Sequence, residues 1–348
     1  MIWTEWDKLT EVVVGRVYDA NQFALESQRL QAGDNEWIDG LATILHETNE
    51  DLDKLALLFQ SMDIKVHRPK NLKYTEHITS MFNTKYPYPA VCPRDLQFSY
   101  GNTILSTVGA EIERYHENNF FSQILLQKHN EGRNLISMPS PLLSNDNKSY
   151  KQLEGQILYH SANLLKIGDA ILYSIPYGDG RPGKGTYAGI EWIKRNIGYD
   201  IEWIEFQRSG HADGGICLIK PGLLMVKDRS LIPPQLSDWD VIQIDYKPLP
   251  NYFNRITSEG FSKRKIKDWL STWVGNVEET VFDINGLSID SSTLITNGYD
   301  RQMCAKLKSH GVQLIPFDFR HRYFWDSGLH CVTLDLSREG SRERYING

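Results

Sequence analysis

Apolar alternation and β-branched runs recur along the chain in a fixed order. Residues 96–108 (LQFSYGNTILSTV) read as two strands joined at Gly101-Asn102, followed by a polar helical stretch over about 111–130 and a short strand at 135–140. The order repeats at 163–175 (NLLKIGDAILYSI), a hairpin around Gly168-Asp169, with a helix at about 186–196 and a strand at 201–206. Residues 216–226 turn at Pro221-Gly222 and lead to a strand at 240–245; the helix between them is poor, because Pro233-Pro234 breaks it. Residues 281–297 predict a hairpin turning near Asp290-Ser291-Ser292, then a helix at about 300–310 and a strand at 312–318.

The two ends of the chain fit one more unit. A strand at 10–17, a long helix at about 36–61 and a strand at 64–69 lack only a partner strand, which HCVTLDL at 330–336 supplies. Five ββαβ-like units that share pattern but not sequence predict an α/β fold, a closed five-bladed propeller with pseudo-five-fold symmetry. Units stacked in a circle bury each other's apolar faces, and their inner strand ends converge on one central cavity. No stretch rich in Gly, Pro or Ser divides the chain, so residues 1–348 read as a single domain. Segments 141–158 and 246–260 read as loops, and 258–273 as an added helix.

Composition narrows the partners. The chain is 41% hydrophobic and 24% charged, as folded proteins are, and its net charge of -6 leaves no basic footprint for nucleic acid. Small charged metabolites are better candidates. No apolar run reaches the roughly 18–20 residues of a membrane helix, and the first residues show no readable signal peptide. Cys92, Cys217, Cys304 and Cys331 lie far apart with no CxxC pair, which argues against structural zinc and a disulfide framework and for a reduced, cytoplasmic protein.

Few residues stand out for chemistry. Cys331, in WDSGLHCVTLDL, lies where a flexible loop enters a strand; on that fact alone it reads as a buried structural cysteine. His330 is a poor base for it, since neighbours on a strand point to opposite faces. His211 and Asp213, in SGHADGG, share one face if the segment is extended, and otherwise form a polar turn. Asp95, in CPRDLQF, can pair with a guanidinium in a bidentate fork or simply cap a turn. GDGRPGK at 178–184 imitates a phosphate-binding loop, but Gly185 stands where Ser or Thr is needed, so it reads as a surface loop.

Taken together, CPRDLQFSYGN, TYAGIEWIKRN, GHADGGICLIKPGLLMVKDR and SGLHCVTLDLSREG resemble, in order, segments of the arginine:glycine and inosamine-phosphate amidinotransferases of the pentein superfamily. The resemblance runs over roughly 90–340, and the pentein fold is the five-bladed α/β propeller that the periodicity predicts. It implies a ping-pong transfer: Cys331 attacks the guanidinium carbon of arginine, His211 protonates the departing amine, ornithine leaves, and an acceptor amine such as glycine takes the amidino group. It also implies that Asp95 and Asp213 grip the guanidinium, that Arg229 binds the substrate α-carboxylate, and that no metal or organic cofactor is required. Family members are often dimers, which makes a homodimer an expectation too.

One position departs from the family. Where an aspartate is expected beside the catalytic histidine, the stretch LYHSANLLKIGD has His160, and Asn163 replaces a second acid. No acid lies between Gln156 and Lys166. An acid would orient the catalytic imidazole and stabilise its cation; a protonated His160 does neither. The shared fold also admits a deiminase-like hydrolase, and His160 a catalytically silent binder of arginine or an amine.

Overall fold

The computed structural model describes residues 1–30, 35–70, 87–141, 153, 155–175, 184–206, 210–248, 279–297 and 300–347. The phosphate-loop look-alike, apart from Lys184, and the predicted helix at 258–273 lie outside them.

Among the described residues, fifteen short strands form five three-stranded sheets. The first holds β3 (Gln97–Tyr100), β4 (Thr103–Ser106) and β5 (Asn134–Ser137). The second holds β6 (Leu164–Ile167), β7 (Ala170–Tyr173) and β8 (Glu202–Glu205). The third holds β9 (Ile216–Lys220), β10 (Leu223–Val226) and β11 (Asp240–Gln243), and the fourth β12 (Leu287–Asp290), β13 (Thr293–Asn297) and β14 (Gln313–Phe317). The fifth joins both ends of the chain: β15 (Thr333–Glu339) pairs antiparallel with β1 (Lys8–Val14), which pairs parallel with β2 (Lys65–His67). The other four repeat that pattern, an antiparallel hairpin followed by a parallel third strand. A parallel neighbour requires a crossover. Helices Asn35–Ser61, Ser122–Asn130, Tyr187–Asn196 and Arg301–Ser309 supply four of them. The Pro233-Pro234 unit has only the 3-10 turns Arg229–Leu231 and Pro234–Leu236, as its prolines predict.

Side-chain alternation explains the ring. Along β9, Ile216 and Leu218 pack with Leu165, Ile167 and Leu172 of the preceding sheet, while Cys217 and Ile219 pack with Leu294, Met303 and Leu307 of the next unit. Each strand thus feeds two cores, one on either face. The first strands lie innermost, β9 beside β12 and β15 beside β3. The hairpin turn at Gly168 adopts φ +77° and lies against the Glu343 carbonyl, so a side chain there would be both strained and obstructed.

A buried charge network ties the first, second and fifth sheets together. Asp335 takes Arg94 at 2.7 Å on one carboxylate oxygen and Arg338 at 2.8 Å on the other. Lys166 bridges Asp335, at 3.4 Å, to Glu5, at 2.8 Å. All five side chains are buried.

Three local expectations are corrected. The stretch 111–130 is not one helix: 3-10 turns Ile112–Arg114 and Glu117–Phe121 precede the helix, because Arg114 and Asn118 turn inward to bond Glu117 and the Thr107 carbonyl. Residues Glu279–Ile284 are helical rather than strand, with Phe282 and Ile284 buried against the core. Around Cys331 the chain is a turn, tied by Val332 N–H to the Gly328 carbonyl, and the strand begins only at Thr333.

Candidate active site

Each sheet delivers the residues just ahead of its first strand to one mouth of the ring: Asp95 before β3, His160 before β6, His211 and Asp213 before β9, Asn285 before β12 and Cys331 before β15. These junctions are short polar turns. Asp95 sits in the single-turn helix Pro93–Leu96, opened by a proline whose φ suits that position. His160 and His211 lead 3-10 turns at Ser161–Asn163 and Ala212–Gly214. The HisAlaAsp segment is therefore the polar turn, not the extended alternative.

Cys331 is held from two sides. Its thiol donates to Asp213 Oδ2 at 3.3 Å. Asn285 clamps it, donating from Nδ2 to the sulfur at 3.1 Å and accepting the Cys331 backbone N–H at 3.0 Å. Burial pushes the thiol well above its ordinary range, and the anions Asp213 and Asp95 push it further. His330 shares the turn and meets the same acid: its Nδ1 lies 2.9 Å from Asp213 Oδ2 and its Nε2 3.1 Å from Glu5 Oε2. His330 is thus no base for the thiol but a brace for Asp213. Burial alone would raise the Asp213 carboxyl; the His330 hydrogen bond and charge outweigh it and leave it below the usual range.

Asp95 accepts Arg114 Nη1 at 2.7 Å on Oδ2, and Arg114 is locked in turn by Glu117 at 2.6 Å and by stacking over Tyr88. Its Oδ1 faces His211 Nδ1 at 3.6 Å, too far for a hydrogen bond. Burial, followed by the positive charge of Lys184, drives the His211 pKa well below the ordinary histidine value, so the Asp95 contact is with a neutral imidazole rather than an ion pair. One oxygen of each acid, Oδ1 of Asp95 and Oδ1 of Asp213, is buried without a hydrogen-bond partner among the described residues. Two orphaned carboxylate oxygens at one site call for donors.

His160 is fully buried and lies between two groups. Its Nδ1 is 2.9 Å from His211 Nε2, and its Nε2 is 3.0 Å from Glu111 Oε2. The acid missing from the stretch 156–166 therefore enters from the first sheet's crossover. Burial raises the Glu111 carboxyl, but His160 and Arg114 bring it down to about 2. Asp95, His160 and His211 form the group of possible metal ligands found among the described residues. Three of their four imidazole nitrogens are already engaged, with each other and with Glu111, and His211 Nδ1 is the fourth.

Five of the six predicted residues meet here; Arg229 does not. It lies at the same end of the third sheet but is exposed, its guanidinium directed at the Val241 carbonyl at 3.5 Å. Sequence reasoning missed Asn285, Glu111 and Arg114. The five-fold register could have found Asn285, which occupies in the fourth unit the place that Asp95 and Cys331 occupy in theirs.

No family model matches the chain. Curated relatives span it end to end. Inosamine-phosphate amidinotransferase 1 of Streptomyces griseus is 26% identical over 371 residues, covering 99% of this chain and 98% of the relative. L-arginine:L-lysine amidinotransferase of Pseudomonas savastanoi pv. phaseolicola is 25% identical over 375 residues, covering 99% and 96%. Among solved structures, an amidinotransferase from the saxitoxin pathway of Microseira wollei superposes with a TM-score of 0.76 at 20% identity, covering 99% of this chain and 98% of that one, which fixes the fold.

Proposed function

Because this chain is an amidinotransferase of the pentein fold by its end-to-end likeness to those enzymes, we propose that it moves the amidino group of arginine through Cys331 to a small amine. The observation that carries the reading is the pair of orphaned carboxylate oxygens, on Asp95 and Asp213, beside a buried thiol and a neutral imidazole. A guanidinium offers donors in a plane and a delocalised positive charge, and both carboxylates suit it.

The same charge activates the nucleophile. In the free enzyme burial, followed by Asp213 and Asp95, holds the thiol protonated. A bound guanidinium offsets both anions, and the thiolate becomes accessible only when there is something to attack. The sulfur bonds to the guanidinium carbon, the bond from that carbon to the chain nitrogen breaks, and one proton passes from the thiol to the departing amine, with His211 Nδ1 as carrier. Ornithine leaves and the amidino group stays on sulfur. The acceptor amine then attacks this carbon, its surplus proton returns by the same imidazole, and the thiol is regenerated. Arg229 remains the candidate for the substrate α-carboxylate, from the rim.

Incubating the protein with isotope-labelled arginine and a panel of amines that includes glycine and lysine tests this. Ornithine with a labelled amidino-acceptor is expected; citrulline would move the chain to the hydrolases. Asp213→Asn gives a second check. Losing one charged contact to the guanidinium is expected to raise the KM for arginine roughly 10–100-fold. The same change removes an anion 3.3 Å from the sulfur. Alkylation of Cys331, followed by peptide mass spectrometry, should therefore begin at lower pH than in the wild type.

A further inference from the structure

We propose that Glu111 is a positioning residue which, acting through His160, fixes His211 with its Nδ1 lone pair toward the guanidinium slot and supports the charge that His211 acquires during turnover. For the reaction this rests on the amidinotransferase reading; the tautomer it assigns does not.

Which atoms can donate fixes the tautomer. An ionised carboxylate only accepts, so the 3.0 Å contact to Glu111 requires the proton of His160 to sit on Nε2. With this one ring proton, His160 keeps a lone pair on Nδ1. The 2.9 Å contact from that atom to His211 requires the hydrogen on His211 Nε2. His211 Nδ1 is left with its lone pair, and this is the atom that faces Asp95 at 3.6 Å. A carboxylate two residues removed in the chain of contacts thus sets the tautomer of the base.

The arrangement also answers the substitution of histidine for the expected acid. When His211 Nδ1 takes a proton, its Nε2 hydrogen can cross to His160 Nδ1. His160 keeps its Nε2 hydrogen on Glu111, so the positive charge comes to rest on the imidazole paired with that anion. No proton reaches Glu111, and the transfer reverses when His211 Nδ1 releases its proton to the leaving amine. The backbone makes room for this pair: a Cβ on Gly109 would collide with both His160 Nε2 and Glu111 Oε2.

Two measurements test the proposal. In histidine-¹⁵N-labelled protein, long-range ¹H–¹⁵N spectra should show wild-type His211 as the Nε2–H tautomer. Glu111→Gln, whose amide can donate as well as accept, should lose that preference; an unchanged tautomer overturns the proposal. In turnover, Glu111→Gln is expected to lower kcat on the order of 10²-fold with the KM for arginine unchanged. His160→Asp puts a carboxylate directly on His211 and takes Glu111 out of the relay. In that background Glu111→Gln should cost no more than about twofold. Equal losses in both backgrounds would make Glu111 merely structural and overturn the proposal. If the wild type transfers no amidino group, the functional reading fails while the spectra still decide the relay.

Discussion

Replacing Cys331 by alanine is expected to lower kcat for amidino transfer by on the order of 10⁴–10⁶ while arginine still binds. The size follows from the mechanism. The covalent intermediate splits the transfer into two displacements at one carbon, and without the sulfur the acceptor would have to meet arginine directly in a slot built for one guanidinium. The orphaned oxygens of Asp95 and Asp213 are untouched by the change, so binding survives. Acid-quenched wild type should carry an amidino adduct on the Cys331 peptide after incubation with arginine alone, and the variant none. A variant that retains a tenth of wild-type turnover would remove the thiol from the mechanism.

Asp335→Asn is expected to destabilise the fold by about 3–5 kcal/mol, the range seen when one member of a buried ion pair is removed. Asp335 is fully buried and accepts Arg94 and Arg338 on separate oxygens, with Lys166 at 3.4 Å. Asparagine keeps the shape but removes the carboxylate from Arg338 and leaves Arg94 and Lys166 with Glu5. Urea unfolding followed by circular dichroism measures the loss. The pH dependence gives an independent sign. Burial raises the Asp335 carboxyl, but Arg338, Arg94 and Lys166 bring it far below its ordinary value. Its stabilisation is therefore complete above the unfolded aspartate pKa of about 3.9 and is lost as pH falls below that toward the folded value. Below about pH 4 the wild type should lose its advantage over the variant. A variant as stable as wild type at neutral pH would show that the cations find other partners.

The ring was legible because its units are hairpins with clear turns and alternating strands; Gly101-Asn102, Gly168-Asp169 and Pro221-Gly222 mark three of the five. What misled was local. The segment 281–286 has β-branched and aromatic residues suited to a strand, yet a short helix forms, burying Phe282 in one apolar core and Ile284 in another. The alternation rule placed His330 and Cys331 on opposite faces, but they occupy a turn, and both reach Asp213 Oδ2. Cys331, His211, His160, Asp95 and Asp213 were found because their types and motifs carry chemistry. Glu111 was not, because its role depends on a contact with His160, 49 positions away. A search for the missing acid confined to neighbours in sequence had no means of finding it.

The joining of β1 to β15 governs what happens while the chain is being made. Synthesis proceeds at about 5–20 residues per second, so β1 leaves the ribosome long before its partner. During that interval the Val12–Val14 run is an unpaired edge, open to other nascent chains. The thiol belongs to the last turn before β15. A polypeptide halted short of that turn is thus adhesive and chemically inert, and the stroke that silences the edge is the one that arms the sulfur.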